Sequence, residues 1–260
     1  MHAFYAEFSH SPDTSNDIPA SVKGTCYVCD CEVSFDVNAS TVRECKNWRE
    51  TLACPRCSLI NRWRGSIHLF EALARPHQAD RIYLNEQLSP LYQAISARYP
   101  GCVGSEYFCD KVPGSEVETP AGVVRNEDVT RLTFADRSFE TVLTFDVLEH
   151  VPDYKKALVE FYRVLVAGGQ VLISVPFNFT NETTIRAEID EQGQIRHLME
   201  PSYHGDPLSD EGVLCFYEFG LDLLQELKNA GFQDAFAVCY ASRQWGYFEN
   251  QIMFVGRKRK

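Results

Sequence analysis

The chain lacks any apolar run close to the roughly 18–20 residues that a membrane-crossing helix needs, which excludes a helical membrane protein. It has no surplus of positive charge: 25 Lys and Arg stand against 36 Asp and Glu, a formal net charge of −11. Such a balance disfavours a general nucleic-acid surface. The start, MHAFYAEFSHSPDTSNDIPAS, has neither a basic opening nor a long apolar stretch, so no secretory leader is expected and the chain is read as cytoplasmic. Its Ser, Asp, Asn and Pro content makes 1–20 a flexible lead-in. Glycine is absent from one long stretch: none occurs between Gly65 and Gly101.

Cysteine, by contrast, is plentiful. Ten cysteines without a leader argue for thiols and metal rather than disulfides. Six of them (Cys26, Cys29, Cys31, Cys45, Cys54 and Cys57) fall in the first quarter. Cys26-Tyr-Val-Cys29 and Cys54-Pro-Arg-Cys57 are two CxxC pairs with 24 residues between them. Each loop offers two thiolates, and two such loops complete a tetrahedral site suited to structural zinc. The expectation is a zinc-ribbon-like module over 21–60, with short hairpins at 33–37 and 48–52. Cys31 and Cys45 are surplus to the four. Cys102, Cys109, Cys215 and Cys239 read as small apolar fillers.

The segment 59–74 has helical spacing through Ile60, Trp63, Ile67, Phe70 and Leu73 and is stopped by Pro76, giving a connector over 61–78. From 43 to 64, Arg43, Lys46, Arg49, Arg56, Arg62 and Arg64 face only Glu44 and Glu50, with Trp48 and Trp63 nearby. That patch could stack and hold RNA; the weightier reading is that it is structural.

The most informative run is 138–177, SFETVLTFDVLEHVPDYKKALVEFYRVLVAGGQVLISVPF. A short apolar β-branched segment at 139–144 predicts a buried strand. A helix follows from Tyr154, with Ala157, Leu158, Phe161, Val164 and Leu165 on one face and Gly168-Gly169 as its stop. Val171 to Val175 reads as a second buried strand. Between them, Asp146, Glu149 and His150 lie at the carboxyl end of a strand, where open α/β sheets bind ligands.

The pattern closely resembles the second half of class I S-adenosylmethionine-dependent methyltransferases. Leu132, Phe134, Asp136, Ser138, Phe139, Leu148, Glu149, His150, Val151, Asp153, Arg163, Leu165, Gly168, Gly169 and Pro176 all fall in that family's register. The resemblance implies a Rossmann-like α/β domain over 79–260, with sheet order 3-2-1-4-5-7-6 and strand 7 antiparallel, interrupted by an insertion at about 178–215. It implies S-adenosylmethionine as cofactor, with Glu106 on the ribose hydroxyls, Tyr107 and Val129 against the adenine, Asp128 on the adenine amino group, and Phe145 near the site. The family's glycine-rich first loop is absent. In its place stands Asn85-Glu86-Gln87-Leu88-Ser89-Pro90, where Ser89 and Pro90 should start a helix. A helix N-terminus can take the cofactor's carboxylate without glycine. Glu86 would pair with the ammonium, and Gln87 or Ser89 would bond the carboxylate.

In the insertion, 184–198 predicts a hairpin around Gln192-Gly193 and 203–207 a polar turn, followed by a helix at 219–230 and a closing strand pair at 232–240 and 251–255. His150 is the first candidate base and His204 the second. The function expected is methyl transfer to a small-molecule O, N or C acceptor. The alternatives are an RNA methyltransferase guided by the basic module and a non-catalytic scaffold of methyltransferase fold. The sequence does not fix the oligomeric state.

Overall fold

The computed structural model describes residues 18–45, 47–177, 179–206 and 209–260. The expected lead-in over 1–20 lies outside the described residues except for its last three. Two compact units divide the chain: Met1–Pro76 with Val238–Met253, and His77–Ala237 with Phe254–Lys260. The first unit thus takes in the connector, and it also takes in 238–253, which the sequence assigns to the larger domain.

In the first unit, β1 (Ser21–Cys26) and β2 (Cys31–Asp36) form an antiparallel hairpin in which Cys26 faces Cys31. A short helix, α1 (Ala39–Cys45), begins after Asn38, whose side-chain oxygen accepts from the amides of Ser40 and Thr41. The segment at 48–52 forms no second hairpin. Only Ala53 pairs, as an isolated bridge to Asp36. Cys26, Phe35, Leu52 and Cys54 make the small core, with Val22, Val33, Trp48 and Phe248 packed on it.

Helix α2 (Asn61–Ala74) follows, ending at a left-handed Arg75 just before the proline. Its Arg64 is fully buried. Nε donates to the Leu59 carbonyl (3.2 Å), Nη1 to Trp245 (2.7 Å), and Nη2 to Leu52 (2.9 Å) and Gly246 (3.2 Å). The guanidinium lies 3.8 Å from the Phe35 ring centre. Burial lowers its proton affinity below the ordinary arginine value. Asn61, also buried, donates to the carbonyls of Trp48 and Phe248 and accepts from Gln251 (2.7 Å), which in turn accepts from Tyr240. The first unit is therefore closed by a polar lattice as much as by apolar burial.

The second unit is built on α/β alternation. Its elements are β3 (Ile82–Leu84), α3 (Pro90–Arg98), β4 (Cys102–Gly104), the hairpin of β5 (Glu116–Thr119) and β6 (Gly122–Arg125), β7 (Phe139–Phe145), α4 (Tyr154–Val164) and β8 (Leu165–Ser174). Short strands β9 (Thr184–Ile185), β10 (Ala187–Ile189), β11 (Ile195–His197), β12 (Tyr203–Asp206), β13 (Ser209–Leu214) and β14 (Tyr217–Glu218) precede α5 (Leu223–Asn229). The last strands, β15 (Asp234–Ser242) and β16 (Tyr247–Arg257), contribute residues to both units.

The main sheet runs β15-β16-β8-β7-β3-β4. β4, β3, β7 and β8 are parallel neighbours, and β16 is antiparallel to β8. The outermost third strand of the expected order is not in this sheet: among the described residues a single parallel bridge, Glu106 to Asn126, extends beyond β4, and β5 and β6 pair with each other. Apolar side chains at Ile82, Tyr83, Leu84, Val142, Leu143, Leu172 and Ile173 are buried, as strands covered on both faces require. Ala157, Leu158, Phe161 and Val164 form the buried stripe of α4.

Gly168-Gly169 does not cap α4, which ends at Val164. The pair sits inside β8 at a register shift: Phe139 faces Leu165 while Thr141 already faces Gln170. Gly168 takes φ +83°, and its amide donates to the Lys258 carbonyl (3.0 Å). Gly168→Ala is expected to cost about 1–2 kcal/mol, from forcing a side chain into the left-handed region. Urea unfolding of the two proteins checks this; equal midpoints would refute it.

Arg163 sets the loop before β7, donating to the carbonyls of Leu132 (2.8 Å) and Phe134 (2.7 Å) and to Asp136 (2.9 Å). In the insertion, β10 and β11 make the hairpin around Gln192-Gly193, with Asp190 holding the amides of Gln192 and Gln194. Tyr203 to Asp206 is strand rather than turn, pairing with β13 through His204 and Val213. The expected helix at 219–230 is shorter, because Phe219 is spent on a bridge to Phe177.

Candidate functional site

Because β3, β4, β7 and β8 run parallel, their carboxyl ends share one edge of the sheet. The loop after β3 holds Asn85, buried, whose Nδ2 donates to Thr144 (2.9 Å) while its Oδ1 has no hydrogen-bond partner among the described residues. Ser89 caps α3 by accepting from the Tyr92 amide (3.1 Å). The expected helix start is therefore present, but the loop is tied down. Glu106 Oε1 accepts from the amides of both Gln87 and Leu88, each at 2.7 Å. The Gln87 side chain donates to the Val123 carbonyl and accepts from the Arg125 amide (3.0 Å). It also presses on Gly104, where an added Cβ would come within 2.9 Å of its Cβ and Cγ.

The remaining adenine-side positions are dispersed in role. Asp128 accepts from Thr130, through its amide (2.9 Å) and hydroxyl (2.7 Å), and from Arg131 Nε (3.1 Å). Val129 is half-buried, Tyr107 is 61% exposed, and Phe145 lies in the core at 3%. Glu86 is half-buried in the loop after β3.

At the end of β7 the backbone is strained. Asp146 takes φ +53°, its amide donates to the Ser174 carbonyl (2.8 Å), and its carboxylate accepts from the Ser174 hydroxyl (3.1 Å). Non-glycine residues held there cluster at functional sites. One turn on, a 3-10 turn (Leu148–His150) delivers Glu149 and His150. The structure brings His150 and His204 together, with ring centres 5.0 Å apart. It adds Cys215, which the sequence gives no means of finding: it lies 65 residues from His150 and reads as filler.

Glu149 is fully buried between the two imidazoles, its Oε1 3.4 Å from His204 Nδ1 and 3.7 Å from His150 Nε2. His150 Nδ1 contacts the Leu214 carbonyl oxygen at 2.9 Å. Hydrogen bonding to Cys215 and Glu149 pushes His204 up to about 10, so without another cation it is an imidazolium near neutrality and a poor base. Burial pulls His150 down, but Cys215, Glu149 and the Leu214 carbonyl together leave it raised. Burial pushes the Cys215 thiol up, and the two histidines more than offset this, leaving it below the usual thiol value. A cavity of about 180 Å³ opens beside His204 and Cys215, walled by Pro176, Phe177, Ser202, Tyr217 and Glu218.

In the first unit, Cys26, Cys29, Cys54 and Cys57 converge with all four sulfurs within 4.8 Å of one another. Cys26 and Cys57 are 3.8 Å apart and Cys29 and Cys54 3.9 Å. Four zinc–sulfur bonds of about 2.3 Å in a tetrahedron would set sulfurs about 3.8 Å apart. As bare thiols they compete for protons: the Cys57 S–H lowers Cys26 to about 5, whereas burial raises Cys29 to about 12. A dication would remove that competition. Cys31 lies outside the four, accepting from Arg56 (3.1 Å). Of the basic patch, Arg64 is buried and Arg62 pairs with Glu50 at 2.6 Å, while Lys46 lies outside the described residues.

Comparison with known proteins gives one family match: residues 87–173 correspond to the methyltransferase domain family. The matched segment begins at Gln87, past β3 and Asn85. A Mycolicibacterium smegmatis protein named "probable S-adenosylmethionine-dependent methyltransferase" is 31% identical over 78 residues, covering 30% of this chain and 30% of that protein's length. Among solved structures, a chain in the complex of the Haloferax volcanii Trm112 methyltransferase activator with a methyltransferase is similar at TM-score 0.49 and 14% identity, over 76% of this chain and 91% of that one. The Burkholderia thailandensis 1,6-didemethyltoxoflavin-N1-methyltransferase is similar at TM-score 0.43 and 17% identity, over 76% and 78%.

Proposed function

We propose that the chain is an S-adenosylmethionine-dependent methyltransferase acting on a small molecule, with a structural zinc held by Cys26, Cys29, Cys54 and Cys57. The observation that carries the enzyme reading is the methyltransferase-domain match over 87–173, which spans the loop after β3 through β8. The donor set fits the cofactor at Asn85, whose buried Oδ1 lacks a partner and suits an ammonium, and at Glu106, a carboxylate at the end of β4. Val129 would stand against the adenine. The bound cofactor would supply an electrophilic methyl for in-line displacement, a reaction helped mainly by positioning. The small cavity beside His204 fits a small acceptor group better than a polymer. The RNA reading loses Arg64, since a buried guanidinium cannot meet a phosphate.

One observation favours a second reading, a non-catalytic scaffold: Glu106 and Gln87 are already committed to holding the loop and the β6 edge. Titration calorimetry of the full chain separates the two. The enzyme reading expects micromolar binding of S-adenosylhomocysteine, weakened about 10–100-fold in Glu106→Ala, which loses a charge-assisted contact. No heat and no thermal protection in the native protein would favour the scaffold.

A further inference from the structure

We propose that His150, His204 and Cys215 form a second metal site, for a borderline divalent cation such as zinc, whose fourth position opens to the cavity. Three separate segments deliver the ligands: the 3-10 turn after β7, strand β12, and the residue following β13. One donor atom from each lies within 4.8 Å of the others. Ligands around a tetrahedral zinc stand about 3.3–3.8 Å apart, so small side-chain rotations suffice to close the site. Two imidazoles and a thiolate are the donor chemistry that zinc takes in open, three-ligand centres.

Glu149 is the independent observation that points to a cation. It is fully buried, and among the described residues its carboxylate has no partner of ordinary hydrogen-bond geometry, only the two imidazoles beside Oε1. A buried carboxylate needs a cation close by, which here is either an imidazolium or a metal held by the same imidazoles. Its Oε1 stands 3.4 Å and 3.7 Å from the two imidazoles, beside the position a metal would take. It would supply the counter-charge. His150 Nδ1 faces both Cys215 Sγ (4.0 Å) and the Leu214 carbonyl oxygen (2.9 Å), which together fix the orientation of the ring. Binding would displace the Cys215 proton and any proton carried by the histidines. His204 and Cys215 both line the cavity, so a coordinated ion would meet whatever enters it.

The site differs from the four-cysteine cluster in every ligand, and it stands whether or not the chain transfers methyl groups. The test is a metal count on the full-length protein after incubation with excess zinc and removal of loosely held ion by gel filtration. The native chain is compared with His204→Gln and Cys215→Ser. Both variants should hold about one equivalent fewer than the native chain, the loss of a single site. The partly exposed His204 makes the first variant the decisive one if the buried thiol proves necessary for folding. With cobalt in place of zinc, the difference spectrum between native and His204→Gln should show the visible bands of a four-coordinate ion. Unchanged metal content in His204→Gln, with no cobalt difference, would overturn the proposal and leave a hydrogen-bonded imidazolium–thiolate cluster.

Discussion

Arg64→Met should destabilise the first unit by about 3–5 kcal/mol, the range for breaking a buried charged network. The change preserves much of the apolar stem but removes the guanidinium from four backbone carbonyls, those of Leu52, Leu59, Trp245 and Gly246, of which Leu59 keeps the Cys54 amide. Each carbonyl left dry costs on the order of 1–3 kcal/mol, partly recovered where water can enter. Arg64→Lys should recover only part of the loss, because an ammonium cannot reproduce a planar fork aimed at four acceptors. Guanidinium unfolding followed by tryptophan fluorescence reads the effect through Trp48 and Trp245. A Met variant within about 1 kcal/mol of the native protein would mean that the guanidinium is not the keystone its geometry indicates.

Cys54→Ser, or removal of metal with a strong chelator, should have the largest effect of all. Structural zinc contributes on the order of 10 kcal/mol to folding in small modules. Cys26, Phe35, Leu52 and Cys54 form one buried cluster of this unit, so two of its four members are proposed zinc ligands. The expected result is loss of bound zinc together with the near-ultraviolet circular dichroism of the first unit's tryptophans, restored by zinc in the chelated native chain and not in the variant. A chain that keeps its spectrum and its unfolding midpoint after complete zinc removal would refute the structural role.

What the sequence disclosed follows the range over which the physics acts. The run at 138–177 was readable because its strands and helix are set by local periodicity and lie in one continuous stretch. The grouping of Cys26, Cys29, Cys54 and Cys57 was readable because a CxxC loop is a local object. Arg64 was misleading for the opposite reason: its charge suggests a surface, whereas its partners at 245 and 246 are about 180 residues away. Cys215 looked like a filler because nothing near it in sequence reveals two histidines, and the pairing that brings β12 to β13 decides its surroundings. Gly168-Gly169 was read as the stop of the helix, whereas the pair lies inside a strand at a register shift. The loop at Glu86 to Ser89 was legible as a helix start. That Glu106 would hold its amides depended on the spacing of β3 and β4, which composition does not reveal.

The polar lattice of the first unit also bears on the order in which the ribosome delivers the chain. Cys57 and Arg64 are made first, and the carbonyl of Trp245 follows 181 residues after Arg64, with that of Gly246 and the side-chain amide of Gln251 just behind it. Until they emerge, the guanidinium of Arg64 and the side chain of Asn61 lack half their partners, and the cysteine loops must wait with a half-built floor. A nascent chain stopped at 76 should therefore remain protease-sensitive even when supplied with zinc. Adding 238–253 as a separate peptide should restore protection. Biosynthesis would then tie the completion of an earlier-made segment to the arrival of one made 181 residues later.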